Sequence, residues 1–206
     1  IGIIIALSSL LFGAGNINAT TVIQSTEAID DYINKQMGIA NIPGLALGIV
    51  KDDQIVYLKG YGKADETNRP VTPQTPFSIG SITKSFTALA IRQLVNEGKI
   101  DLDKPVIDYI PWFKLSDVEA SNQITIRNLE EHKSGISTNA SYEYELYNDR
   151  YSLTQIVQMF ARVKPNKAAG EVFQYSNINY SILGLVIQTV SGIPYDEYIQ
   201  NHIFDP

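Results

Sequence analysis

A serine and a lysine three positions apart, Ser81 and Lys84, stand in the segment FSIGSITKSF, where a stretch punctuated by Pro70, Pro73 and Pro76 gives way to helical periodicity. Residues three apart on a helix share a face, so this spacing sets an amine beside a hydroxyl. A serine hydroxyl becomes a competent nucleophile when a base takes its proton, and a lysine can do so only in its neutral form. Partial burial disfavours the charged amine, and so does the positive end of the helix dipole, where both residues lie. The same helix start offers a backbone N–H to a developing oxyanion. Against this, S-x-x-K is a short pattern, expected by chance about once in a chain of this length at average composition. In its favour, Ser81 and Lys84 form its sole occurrence here, just inside a helix start after a glycine-containing turn.

A second group of residues lies in GEVFQYSNINYSILG, where Tyr175-Ser176-Asn177 ends a loop and opens a helix. A tyrosine placed near Lys84 could shuttle a proton to a leaving group, and an asparagine could hold an acyl-amide substrate with both a donor and an acceptor. The plainer alternative is that Tyr175 packs and Asn177 caps the helix. Tyr32-Ile33-Asn34 repeats the Y-x-N spacing in the middle of an expected helix, so the spacing alone carries no chemistry.

The elements that must position these residues are legible in the periodicity. Ile29, Ile33 and Met37 recur at helical spacing and predict a first helix ending near Gly38. GLALGIV and QIVYLKGYG, on either side of Lys51-Asp52-Asp53, read as a β-hairpin. From Ser81 to Gly98 the apolar positions Ile82, Phe86, Leu89, Ala90 and Leu94 predict a helix closed by Gly98. A short helix follows around TIRNLEEH, then a tyrosine-rich loop, a helix opened by Ser152, one from about Asn177 to Val190, and a last one begun at Pro194. A lone hairpin is marginally stable in water, so two strands imply a larger sheet.

Bulk properties narrow the function. Sixteen Lys and Arg against 22 Asp and Glu give a net charge of -6 with no basic cluster, which argues against nucleic acid as a partner. The chain has no cysteine, which excludes disulfides, thiolate catalysis and cysteine-ligated metals. His132 and His202 are too few and too far apart in sequence to suggest a metal site, and both read as structural. The uncharged apolar run that opens the chain, giving way to polar residues and Ala19, has the pattern of an export signal over residues 1–19. Its apolar centre, Ile3 to Phe12, is short beside the roughly 20 residues of a membrane span, so a membrane role is expected only if the signal stays uncleaved.

Taken together, FSIGSITKSFTALAIRQLVNEGKIDLDKPVIDYIP, ITIRNLEEHKSGI and GEVFQYSNINYSILGLVI resemble, in order and spacing, the penicillin-recognising serine hydrolases, on the branch holding class C β-lactamases, D,D-peptidases, D-aminopeptidases and related esterases. The resemblance runs from about Ile29 to Pro206. It implies a mixed α/β (α+β) fold, an antiparallel sheet flanked by helices with an all-helical region inserted after the second strand. Residues 20–206 then form one incomplete domain, 20–75 belonging to the sheet part and 76–206 mainly to the helical part. The resemblance also implies Ser81 as the acylated nucleophile, Lys84 as its base, Tyr175 as general acid/base and Asn177 as a substrate-binding residue.

The family's third motif, K-T-G or H-x-G on a later strand, has no counterpart before Pro206 and is expected downstream, so the segment itself is not expected to be a competent enzyme. Lys133-Ser134-Gly135 precedes Tyr175 and fits the family's HTSG segment, a structural loop, rather than that motif. In the same segment Glu130 and Glu131 replace residues usually apolar or small. Carboxylates are seldom buried unpaired, and Lys133, which replaces a threonine, could pair with a neighbour.

The resulting expectation is an exported serine hydrolase acting through an acyl-enzyme on a small-molecule or peptide substrate, a β-lactam, a D-amino-acid peptide or an ester, with no metal or organic cofactor. The alternative is a sensor or wall-peptide receptor on the same scaffold that acylates once or merely binds.

Overall fold

The structure is a computed structural model that describes residues 26–140 and 151–206. The export-signal reading and nearly all of the tyrosine-rich loop fall outside the described residues. The chain divides into two compact units, Ile1–Gly80 and Ser81–Pro206.

In the first unit, helix α1 (Thr26–Ala40) precedes strands β1 (Gly44–Lys51) and β2 (Gln54–Gly62), which pair antiparallel. The helix runs past Gly38, because the residue that turns left-handed is Asn41 (φ 52°), and the Ile42 N–H then closes on the Met37 carbonyl at 3.0 Å. Asp52 and Asp53, both at positive φ (49° and 59°), make the two-residue turn between the paired Lys51 and Gln54, as a type I′ hairpin requires. Tyr57, Lys59 and Tyr61 alternate along β2 and therefore share a face. All three donate to Asp30 of α1, at 2.5, 2.7 and 2.7 Å respectively. Hydrogen bonds from Lys59, then from the two phenols, hold the Asp30 carboxyl down at about 2.

The second unit is helical. It holds α2 (Thr83–Asn96), α3 (Val118–Gln123), α4 (Ile126–Glu130), α5 (Leu153–Met159), α6 (Asn177–Ser191) and α7 (Tyr195–Ile199), with a π-turn over Gln200–Phe204. Its centre is α6, which buries Ile178, Ile182, Leu183, Leu185, Val186 and Ile187, and against which α2, α4, α5 and α7 all pack. A helix apolar on most of its circumference is the one that others surround.

Local chemistry sets the boundaries. α4 and α5 each begin with a capping box, Thr125 with Asn128 and Ser152 with Gln155. α2 ends in a Schellman motif: Gly98 (φ 70°) donates to Val95 at 2.9 Å and Lys99 donates to Leu94 at 2.9 Å. The six-residue α3 escaped the periodicity analysis. It forms because Asp117 caps the Ala120 N–H at 3.0 Å, and because the buried Ser121 Oγ accepts from Leu115 and donates to the Asp117 carbonyl. The two glutamates after Leu129 are both paired. Arg92 clasps Glu130 at 3.0 and 2.7 Å, and Lys133 reaches Glu131 at 2.9 Å.

Candidate active site

A single 3-10 turn, Gly80–Ile82, leads into α2, so Ser81 lies in that turn and Lys84 is the second residue of the α-helix proper. Gly80 enters the turn at φ 52°, a left-handed value that suits glycine. Across the unit, Tyr175 and Ser176 close the loop before α6, and Asn177 is the first residue of that helix.

The four predicted residues meet. The Ser81 and Tyr175 hydroxyl oxygens are 2.7 Å apart. Lys84 Nζ lies 3.4 Å from Ser81 Oγ and donates to Asn177 Oδ1 at 2.6 Å. The same nitrogen stands 5.0 Å from the centre of the Tyr175 ring and 5.6 Å from that of Tyr180, within cation–π range of both. Asn177 therefore uses its side chain on Lys84. Tyr32 of the other Y-x-N is exposed on the α1 surface, as expected of a chance copy.

Beneath these residues is a buried layer. His132 follows α4 in a left-handed conformation (φ 55°), and its ring stacks at a tilt on Tyr175 (4.5 Å between centroids) and Tyr180 (5.2 Å). Its Nδ1 accepts the Ser176 N–H at 3.1 Å, and the Asn179 side-chain nitrogen stands 3.4 Å from the same atom. Ser134 Oγ donates to Asn179 Oδ1 at 2.7 Å. Burial, and after it the charge of Lys84, pushes the His132 pKa below its ordinary value. Burial, and after it the nearby Glu130, pushes the Tyr180 phenol up.

Lys133-Ser134-Gly135 serves this layer. Gly135 (φ 79°) leaves no room for a Cβ, which would stand 2.0 Å from the Lys167 carbonyl oxygen. Sequence analysis placed His132 among structural residues and singled out neither Asn179 nor Tyr180. The one signal available was that Asn179 and Tyr180 follow Asn177 in the first turn of the same helix, where side chains reach back toward the preceding loop.

Chemically, this is a hydroxyl with two candidate proton acceptors, Tyr175 at 2.7 Å and Lys84 at 3.4 Å, and an amide fixed against the lysine. Together with the mixed α/β architecture, it is an arrangement of the serine β-lactamase and penicillin-binding-protein kind. The chain belongs to the Beta-lactamase family, which it matches over residues 29–206. It is 34% identical over 183 residues to Protein flp of Staphylococcus aureus (strain MW2), covering 88% of this chain and 37% of that protein. Among solved structures it is similar to the octameric penicillin-binding protein homologue from Pyrococcus abyssi, with 34% identity and a TM-score of 0.76 over 89% of this chain and 43% of that one. It is also similar to a class C β-lactamase, with 28% identity and a TM-score of 0.72 over 93% of this chain and 50% of that one. The chain thus spans half or less of the length of each of these relatives.

Proposed function

We propose that the protein is an exported serine hydrolase that opens amide or ester carbonyls through an acyl-enzyme on Ser81. The hydrogen-bonded series Tyr175–Ser81–Lys84–Asn177 carries this reading. Family membership supports it. Ser81 Oγ attacks the carbonyl carbon while its proton passes to neutral Lys84. The tetrahedral intermediate collapses as Tyr175 supplies a proton to the departing nitrogen or oxygen, leaving an acyl-serine that water hydrolyses with the same groups acting in reverse. Asn177 orients Lys84 and offers its amide N–H to the substrate acyl group.

One observation favours a second assignment of the base. The Tyr175 oxygen is 0.7 Å nearer to Ser81 Oγ than Lys84 Nζ is, the difference between 3.4 and 2.7 Å. On that assignment the phenolate takes the proton directly and Lys84 stabilises it.

Substrates of this class are β-lactams, D-amino-acid peptides and simple esters. The test is turnover by the product of the complete reading frame, using an activated ester and a β-lactam. An acylation burst followed by steady product release is expected. A burst with no release would make the protein a sensor that acylates once, and neither product nor a covalent adduct with either compound would overturn the acyl-enzyme reading. Cleavage of the export signal is tested separately by the mature N-terminus, expected outside the cytoplasm at Thr20, and an exported form that retains residues 1–19 would favour a membrane anchor instead.

A further inference from the structure

One residue holds the main chain on both sides of Tyr175. The His132 carbonyl accepts the Gln174 N–H at 2.7 Å, and His132 Nδ1 accepts the Ser176 N–H at 3.1 Å. Between these two bonds the imidazole lies against the Tyr175 ring, with centroids 4.5 Å apart. The residue is buried, and the second acceptor in the layer, Asn179 Oδ1, is taken up by Ser134. A left-handed backbone at this position is tolerated by glycine and asparagine better than by histidine.

We propose that His132 is the positioning residue for Tyr175, and that it holds the tyrosine hydroxyl against Ser81 only as a neutral imidazole with its lone pair on Nδ1. The inference rests on the reading of Tyr175 as a proton-transfer group of a Ser81 acyl-enzyme. The reason for the protonation requirement is geometric. An imidazolium carries a proton on each ring nitrogen, so Nδ1–H would face the Ser176 N–H, donor against donor. The 175–177 turn would then have to move, and with it the 2.7 Å contact between Tyr175 and Ser81.

The groups that face the ring are Lys84 from α2, Tyr175 and Phe173 from the preceding loop, and Tyr180 and Asn179 from α6. Glu130, Glu131 and Lys133 flank it in the chain, each already in an ion pair. Burial of the ring is the main force against its charging, and a proton taken up by Lys84 from Ser81 would add to it. The neutral form therefore prevails at neutral pH and gives way only below the ordinary histidine value of about 6.5.

The experiment is the rate of Ser81 acylation by an activated ester, followed from about pH 8 to about pH 4.5, in the product of the complete reading frame and in His132→Asn and His132→Gly. Asparagine accepts the left-handed backbone and carries an oxygen near the Nδ1 position that cannot be protonated in this range. Glycine accepts the backbone and carries no acceptor. The expected result is a loss of about 10²-fold in His132→Gly, a misplacement effect. His132→Asn should recover about tenfold of it and should lose the part of the acid limb that His132 contributes. Equal rates in all three proteins, equal losses in both variants, or an unchanged acid limb in His132→Asn would overturn the inference.

If the variants fail to fold, the unsubstituted protein still decides. Its imidazole nitrogen resonances should report an unprotonated, hydrogen-bonded Nδ1, and their titration midpoint should coincide with a break in the acylation profile. A protonated Nδ1, or no coincidence, would contradict it. Absence of Ser81 labelling at every pH would sink the acyl-enzyme reading and this inference with it, whereas normal labelling with an indifferent His132→Gly would sink this inference alone.

Discussion

The hydroxyl oxygens of Ser81 and Tyr175, 94 positions apart in the chain, lie 2.7 Å from each other, closer than Ser81 Oγ lies to the amine of the lysine three residues further along the chain. Two assignments of the serine's base follow, and one pair of variants separates them. If Lys84 is the base, Lys84→Arg should lose acylation as fully as Lys84→Ala, on the order of 10² or more, because arginine stays protonated. Tyr175→Phe should then still acylate, at a reduced rate that depends on the leaving group. If Tyr175 is the base, Tyr175→Phe should be the more damaging change for every ester, and Lys84→Arg should retain measurable acylation. Single-turnover rates on a series of esters differing only in leaving group provide the check.

Asn177 accepts from Lys84 at 2.6 Å, so its replacement tests the lysine through its partner. Asn177→Asp would set a carboxylate at that distance and favour the ammonium form. Acylation should fall at least as far in Asn177→Asp as in Asn177→Ala, with its rise displaced to higher pH. A rate profile in Asn177→Asp superimposable on that of the unsubstituted protein would show that the amide does not act on the lysine.

Much of the helical scaffold was legible in the sequence because its signals are local. Ser152 caps its helix as its position suggests, and Gly98 stops α2 where the apolar period ends. The end of α1 was misplaced by two residues because Gly38 does not turn left-handed and Asn41 does. Ser81 and Lys84 could be paired from their spacing alone. Their meeting with Tyr175 and Asn177 depended on order and spacing across the whole chain, since the Y-x-N spacing recurs at residues 32–34 and a place at a helix start does not by itself show which lysine it faces. The role of His132 was hidden for a different reason. Its partners are a main-chain N–H and an aromatic ring more than forty positions away, and a tertiary contact of that kind leaves no periodicity.

Two glycines in positive-φ turns should respond differently to a methyl group. At Gly98 (φ 70°) a Cβ would meet nothing within 4 Å, so Gly98→Ala should cost only the left-handed backbone penalty of about 1 kcal/mol. At Gly135 (φ 79°) it would collide with the Lys167 carbonyl, and Gly135→Ala should cost about 2–4 kcal/mol by adding steric displacement to the same penalty. Denaturant melts of both variants would check the order. Equal losses would contradict the tight packing of the loop after α4.

In the first unit, the Asp30 carboxyl is held at about 2 by Lys59 and two phenols. Its folded pKa is depressed, so its contribution to stability is present above the ordinary aspartate value and is lost as pH falls from about 4 toward 2. Asp30→Asn should therefore flatten the acid side of the stability profile in that window and leave its slope above about pH 5 unchanged. Carboxyl carbon titration of Asp30 gives the same test residue by residue, and a midpoint near the ordinary value would contradict the hydrogen-bonded cluster on β2.

The most direct measurement is the site of covalent modification. The product of the complete reading frame, incubated with a fluorescent penicillin or an activated ester and then digested, should carry one adduct, on the peptide containing SITK and at Ser81 Oγ, and Ser81→Ala should carry none. An adduct that survives in Ser81→Ala, or that maps to Ser78, Ser85 or Ser176, would contradict Ser81 as the nucleophile.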